Sequence, residues 1–198
     1  MLGSSMAKFT QRAIMLSLLK LLEERSIDKI TVKDICEMCE INRNTFYYYY
    51  SDIYQVIDAL MQYETEQALQ DTGKSASFYE EYLKKYHLVL EHKSAIKHIY
   101  GSRSRDLILN YFYTVAESFV TRFVREEAKG TNLDEDDIQY IVDFYSNSMI
   151  GSTLKWISKG MPEERDALIY RIAMSYQATI KVLIQSCMDD KNSPTKYH

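Results

Sequence analysis

Glycine and proline are scarce. The chain has six glycines and two prolines in 198 residues, too few for a fold of many turns, and this points to long helices with few breaks. Cysteine is scarce as well. Cys36, Cys39 and Cys187 are odd in number and make no disulfide framework. Cys36 and Cys39 form a C-x-x-C, but no second such pair and no close histidine pair stands near to complete a zinc set. Both are read as small buried helix residues. The most apolar run, "AIMLSLLKLL" at Ala13–Leu22, is too short for a membrane span and carries Lys20. The start, "MLGSSMAKF", has no basic segment leading into an apolar one, so no secretion signal is read there and a cytoplasmic protein is expected. A basic surplus is also missing. The net charge is −4, and residues 1–58 hold seven Lys and Arg against eight Asp and Glu. Any nucleic-acid binding must rest on the placement of a few cations, not on bulk charge. Finally, there is no nucleophile–base pairing, no Gly-rich phosphate loop and no metal-ligand spacing. An enzyme is therefore the weakest reading, and no metal or cofactor is expected.

What is present is helical patterning. The hydrophobic fraction of 46% supports a packed core. From Thr10 to Arg25, apolar residues recur at Ala13, Ile14, Leu18, Leu21 and Leu22, a 3.6-residue stripe. "RSIDKI" breaks it. Thr31 is then a fit helix N-cap with Asp34 three residues on, close to a capping box. A short helix to about Cys39 would turn Val32, Ile35, Cys36 and Cys39 inward. "EIN" is a tight connection, and Asn42 can cap a second short helix with Arg43 and Asn44 in its first turn. Two short helices and a tight turn behind a packing helix make a helix-turn-helix pattern. The second contains four tyrosines in a row, Tyr47 to Tyr50. Helical spacing puts Phe46 and Tyr50 on one face as core anchors, turns Tyr47 and Tyr48 outward and leaves Tyr49 between. A further capped helix starts at Ser51-Asp52 and runs to about Leu69, followed by a linker, Asp71–Ser77. The rest reads as more helices, ending in a polar tail. The run Asp134–Asp137 is helix-start charge.

With these motifs in place, "TVKDICEMCEINRNTFYYYYSDIYQVI" resembles the DNA-binding region of TetR-type (TetR/AcrR) bacterial transcriptional regulators, over roughly residues 10–58. "GSTLKWISKGMP" (Gly151–Pro162) looks like the end of the penultimate helix in a subgroup that includes regulators of dihydroxyacetone-kinase operons. The resemblance implies an all-α protein. Residues 1–52 would be the helix-turn-helix DNA-binding domain, linked through helix 53–70 to an effector-binding and dimerisation domain at 71–190, with a disordered tail at 191–198. Carried over by position, Thr31 would cap its helix and offer a hydroxyl to phosphate, and Lys33 would reach phosphate or a base edge. Arg43 and Asn44 would lead the recognition helix, where Arg can bridge guanine O6 and N7, and Asn adenine N6 and N7. Thr45, Tyr48 and Tyr49 would touch phosphates, and Tyr47 a base or sugar edge.

Three features depart from the family pattern. Glu40 stands where a Gly is frequent at the turn, Ile53 stands where many members place a phosphate-binding Lys, and the local charge is not positive. Lys8, Arg12 and Lys29 are further cations for DNA. The resemblance also implies a homodimer on a palindromic operator, built from the last two long helices, about Asp134–Lys159 and Pro162–Met188, with Gly151 and Ser152 allowing close approach. The expected activity is repression relieved by a small-molecule effector, for which Tyr82, Tyr86, Tyr111, Phe112, Tyr145 and Trp156 are the candidate aromatic contacts. The alternatives are control by a protein partner and, last, a helical enzyme.

Overall fold

The computed structural model describes residues 2–70, 77–162 and 166–192, and within them every regular element is helical. The helices are α1 (Leu2–Glu24), α2 (Val32–Met38), α3 (Arg43–Tyr49), α4 (Ile53–Gln70), α5 (Phe78–Glu91), α6 (Lys93–Tyr100), α7 (Arg105–Glu127), α8 (Glu135–Ser158) and α9 (Asp166–Asn192), with a 3₁₀ turn at Ile27–Lys29. None of the described helices is long and apolar enough to cross a membrane. Most of the expected linker (71–76), the start of the last helix (163–165) and most of the expected tail (193–198) lie outside the described residues. α1 begins well before Thr10, at Leu2, with no proline in the added stretch and its one glycine, Gly3, in the first turn.

The chain falls into two compact units. The first comprises Met1–Asp71 and Leu88–Tyr111, the second Thr72–His87 and Phe112–His198. In the first, α1 packs on α2, α4 and α6, and α2 on α3. The α1 stripe of Ile14, Leu18, Leu21 and Leu22 is buried, as are Val56, Ile57 and Leu60 of α4, each worth roughly 1.5–3 kcal/mol relative to exposure. Two histidines, His98 of α6 and His92 just ahead of it, meet the end of α1. His98 donates from Nδ1 to the Leu22 carbonyl at 2.6 Å, satisfying one of the orphan acceptors in the last turn of α1. His92 Nδ1 lies 3.2 Å from Glu23 Oε1.

In the second unit, α8 packs on α9, and the core is aromatic. Phe78 stacks on Tyr176 with centroids 4.0 Å apart, and Phe119 lies 4.8 Å from Phe78. Buried among these apolar groups is a carboxylate, Glu81, ion-paired with Arg122 and 4.0 Å from Lys85.

α2 and α8 end on the same geometry but use different residues. At α8, Gly160 takes φ +81° and Met161 N–H donates back to the Trp156 carbonyl at 3.0 Å. At α2, Ile41 N–H donates to the Cys36 carbonyl at 3.0 Å, and the left-handed residue is Glu40, φ +55°. Both are Schellman closures, which favour glycine because it has no Cβ to clash. Glu40 therefore carries strain at the turn between the two short helices. Glu40→Gly is expected to stabilise the protein by about 1 kcal/mol, raising Tm by about 2–4 °C. A Tm that falls in a thermal melt followed by circular dichroism would refute this strain.

Candidate functional site

The helix-turn-helix is assembled from its caps. Thr31 Oγ1 accepts from Asp34 N–H at 3.2 Å, and Thr31 N–H donates to Asp34 Oδ2 at 2.8 Å, closing a capping box. The bond from the Thr31 hydroxyl to the carboxylate first, then the bond from the Thr31 N–H, with a smaller contribution from Arg25, hold the Asp34 carboxyl below its usual range. The Thr31 hydroxyl proton is committed as well, donated to Asp34 Oδ2 at 2.7 Å. A phosphate could receive it only by displacing that carboxylate. The second cap works the same way. Asn42 Oδ1 accepts from Thr45 N–H at 2.8 Å and from the Thr45 hydroxyl at 3.1 Å. Of the two threonines, each therefore shapes a helix start in this state, and each hydroxyl must switch partner to meet DNA.

Beyond the Asn42 cap, α3 separates its aromatics by face. Phe46 is 0% exposed and Tyr50 is buried, while Tyr47 and Tyr48 are 54% and 80% exposed. The Tyr47 ring meets Phe46 edge-on at 5.4 Å, and the Tyr48 and Tyr49 rings pair edge-on at 4.9 Å. Tyr47 is thus propped by Phe46 while more than half of it stays exposed. Tyr49 is half-buried. Arg43 and Asn44 are exposed in the first turn of α3. Lys33 is exposed on α2, and its Nζ lies 3.5 Å from Glu37 Oε1, a surface pair of little worth. α4 starts with Gln55 N–H donating to Asp52 Oδ1 at 2.9 Å and Ser51 N–H donating to Gln55 Oε1 at 2.9 Å. Ile53 is half-buried beside them, so this helix start offers no cation. Burial raises the thiols of Cys36 and Cys39, and no described group of three His, Cys, Asp or Glu is arranged to hold a metal.

Two sequence models match these parts of the chain. The one for "Bacterial regulatory proteins, tetR family" matches residues 14–60. The one for "Transcriptional regulator C-terminal region" matches residues 76–177, about half of the chain. The chain belongs to the TetR family. No curated protein matches it. Among solved structures it is similar to a "Dihydroxyacetone kinase operon activator DhaS". That similarity has a TM-score of 0.72 at 18% identity, covering 87% of this chain and 97% of that one. At that identity the likeness is one of fold.

The six aromatic residues singled out for a ligand separate in this TetR-family chain. Tyr82, Tyr86, Phe112, Tyr145 and Trp156 are buried in the second unit. There Tyr86 lies 5.0 Å from Trp156, Trp156 Nε1 donates to the Pro162 carbonyl at 2.9 Å, and the Tyr145 hydroxyl is 2.8 Å from Thr179 Oγ1. These polar ends are satisfied by partners in the protein. Tyr111 belongs to the first unit and lines a cavity of about 290 Å³ with Leu19, Met61, Glu64, Ile96 and Ile108. The sequence reading did not single out Glu64, although a signal was available. Ile57, Met61, Glu64 and Ala68 follow one another at helical spacing, so a carboxylate interrupts the inward stripe of α4.

Proposed function

We propose that this TetR-family chain is a transcriptional repressor that binds a palindromic operator as a two-fold dimer and is released by a small-molecule effector. The observation that carries the DNA-binding part is the face of α3. Arg43, Asn44, Tyr47 and Tyr48 are exposed together, while Phe46 and Tyr50 root the same helix in the core. Arg43 and Asn44 are placed to read base edges, and the tyrosines and Lys33 to hold the backbone. Thr31 and Thr45 contribute by fixing the two helix starts and meet phosphate only after giving up their present acceptors.

The dimer rests on α8 and α9. Tyr140 and Phe144 on α8, and Tyr170, Met174 and Val182 on α9, are exposed large apolar residues. Their spacing in fours forms ridges that suit helix-on-helix packing with a second copy. Gly151 lies on the same helix, with open space where a Cβ would point. A cavity in the first unit favours a small molecule over a protein partner as the releasing signal.

The test is a gel shift on promoter DNA of the chain's own gene and its neighbours at stated salt. Arg43→Ala combined with Tyr47→Ala is expected to cost at least about 1–3 kcal/mol per half-site, the worth of one bidentate base contact. Both side chains are exposed, so helicity should be unchanged. Wild-type affinity in the double variant would sink the assignment of α3. A promoter fusion reads the sign. Higher output without the protein means repression, and lower output would make the chain an activator, as its structural neighbour is named.

A further inference from the structure

We propose that the cavity in the first unit binds a small organic cation, with Glu64 as its counter-ion. That the cation acts as the effector rests on the regulator reading above; its binding does not.

The cavity lies among α1, α4, α6, the end of α5 and the first turns of α7. At about 290 Å³ it is near the lower end of the roughly 300–1,000 Å³ usual for ligand sites, so the occupant is compact. Leu19, Met61, Ile96, Ile99 and Ile108 make its walls aliphatic. Glu64 stands half-buried on such a wall, where an opposite charge beside it is a favourable partner. Glu64 has no hydrogen bond or ion pair with any described residue. Two histidines of this unit have their Nδ1 engaged. His92 also lines the cavity, but its Nδ1 faces Glu23, and His98 Nδ1 is committed to the Leu22 carbonyl. Tyr111 reports the resulting field. Burial first, and then the negative charge of Glu64, push its hydroxyl up to about 12, so it stays neutral.

The acidic group among the lining residues is Glu64. An anion would be repelled, and a neutral guest would leave the carboxylate without a partner. An ammonium on a short apolar body satisfies both the charge and the walls. Glu64 is on α4, the helix that follows α3 directly. A guest bound there sets the spacing of α4 from α1 and α6, and through α4 the position of the recognition helix.

The probes are 2-phenylethylamine, its neutral analogue 2-phenylethanol and the anion 3-phenylpropionate. Calorimetric titration of the wild-type protein without DNA should show the amine binding at least about tenfold tighter than the alcohol, with the anion weakest. Glu64→Gln keeps the shape of the side chain and should bring amine and alcohol to equal affinity. Ala68→Phe, at a half-buried position on the cavity wall, should remove both. An amine that binds no better than the alcohol, a preference that survives Glu64→Gln, or binding untouched by Ala68→Phe would each overturn the proposal. The gel shift without ligand separately decides the regulator reading. Glu64-dependent binding of the amine by a chain that never binds DNA would keep the cation site and remove the repressor.

Discussion

Phe46→Ala is expected to lower the stability of the protein by about 3–5 kcal/mol, the usual cost of truncating a fully buried Phe. The side chain is 0% exposed. It packs against Tyr50 at 6.2 Å and supports Tyr47 edge-on at 5.4 Å. Removing it leaves a cavity behind α3 and withdraws the prop from Tyr47. Urea unfolding followed at 222 nm should show an earlier midpoint, and operator binding should fall by more than the double loss of Arg43 and Tyr47. Tyr48→Ala is the control. It removes a similar ring from the exposed side of the same helix and should change stability by about 0.5 kcal/mol or less. Equal effects of the two variants would mean that α3 is not anchored as described.

The second large effect belongs to the other unit. Arg122→Met should cost about 3–5 kcal/mol, because it leaves the Glu81 carboxylate, 3% exposed, without its guanidinium partner. Lys85 at 4.0 Å is a poor substitute. The double variant Glu81→Met, Arg122→Met should recover most of that loss, since replacing both partners leaves no stranded charge. The two changes are thus expected to be strongly non-additive. Trp156 is the single tryptophan and is buried in the same unit, so its fluorescence follows this unfolding directly. Additive losses would show that the pair is not coupled.

The helix-turn-helix was legible in the sequence because its determinants are local. Thr31 with Asp34, and Asn42 ahead of Arg43, are caps that act within three residues. The split of Phe46 and Tyr50 from Tyr47 and Tyr48 follows from helical spacing alone. The left-handed turn at Glu40 was suggested by the resemblance, which puts a frequent Gly at that position. What stayed hidden depends on distance along the chain. Glu81 meets Arg122 across 41 residues and His98 meets the Leu22 carbonyl across 76. The cavity draws its wall from five helices, and only the interruption at Glu64 showed locally. The aromatic candidates for a ligand were chosen by residue type. That criterion cannot tell a buried Tyr86 or Trp156 from Tyr111 on a cavity wall, because burial is decided by tertiary packing.

The shortage of cations around α3 has a thermodynamic consequence. Binding to duplex DNA draws on release of condensed counterions, and each phosphate met by Lys or Arg adds roughly −0.9 to the slope of log K against log salt. Tyrosine hydroxyls add nothing to that slope. With Lys33 and Arg43 as the cations of α2 and α3 and two exposed tyrosines beside them, specific binding should be unusually tolerant of ionic strength. Non-specific binding to bulk DNA, which depends on the same ions, should be weak throughout. The regulator would then find its operator with little capture by the rest of the chromosome, and hold it through changes in cell osmolarity.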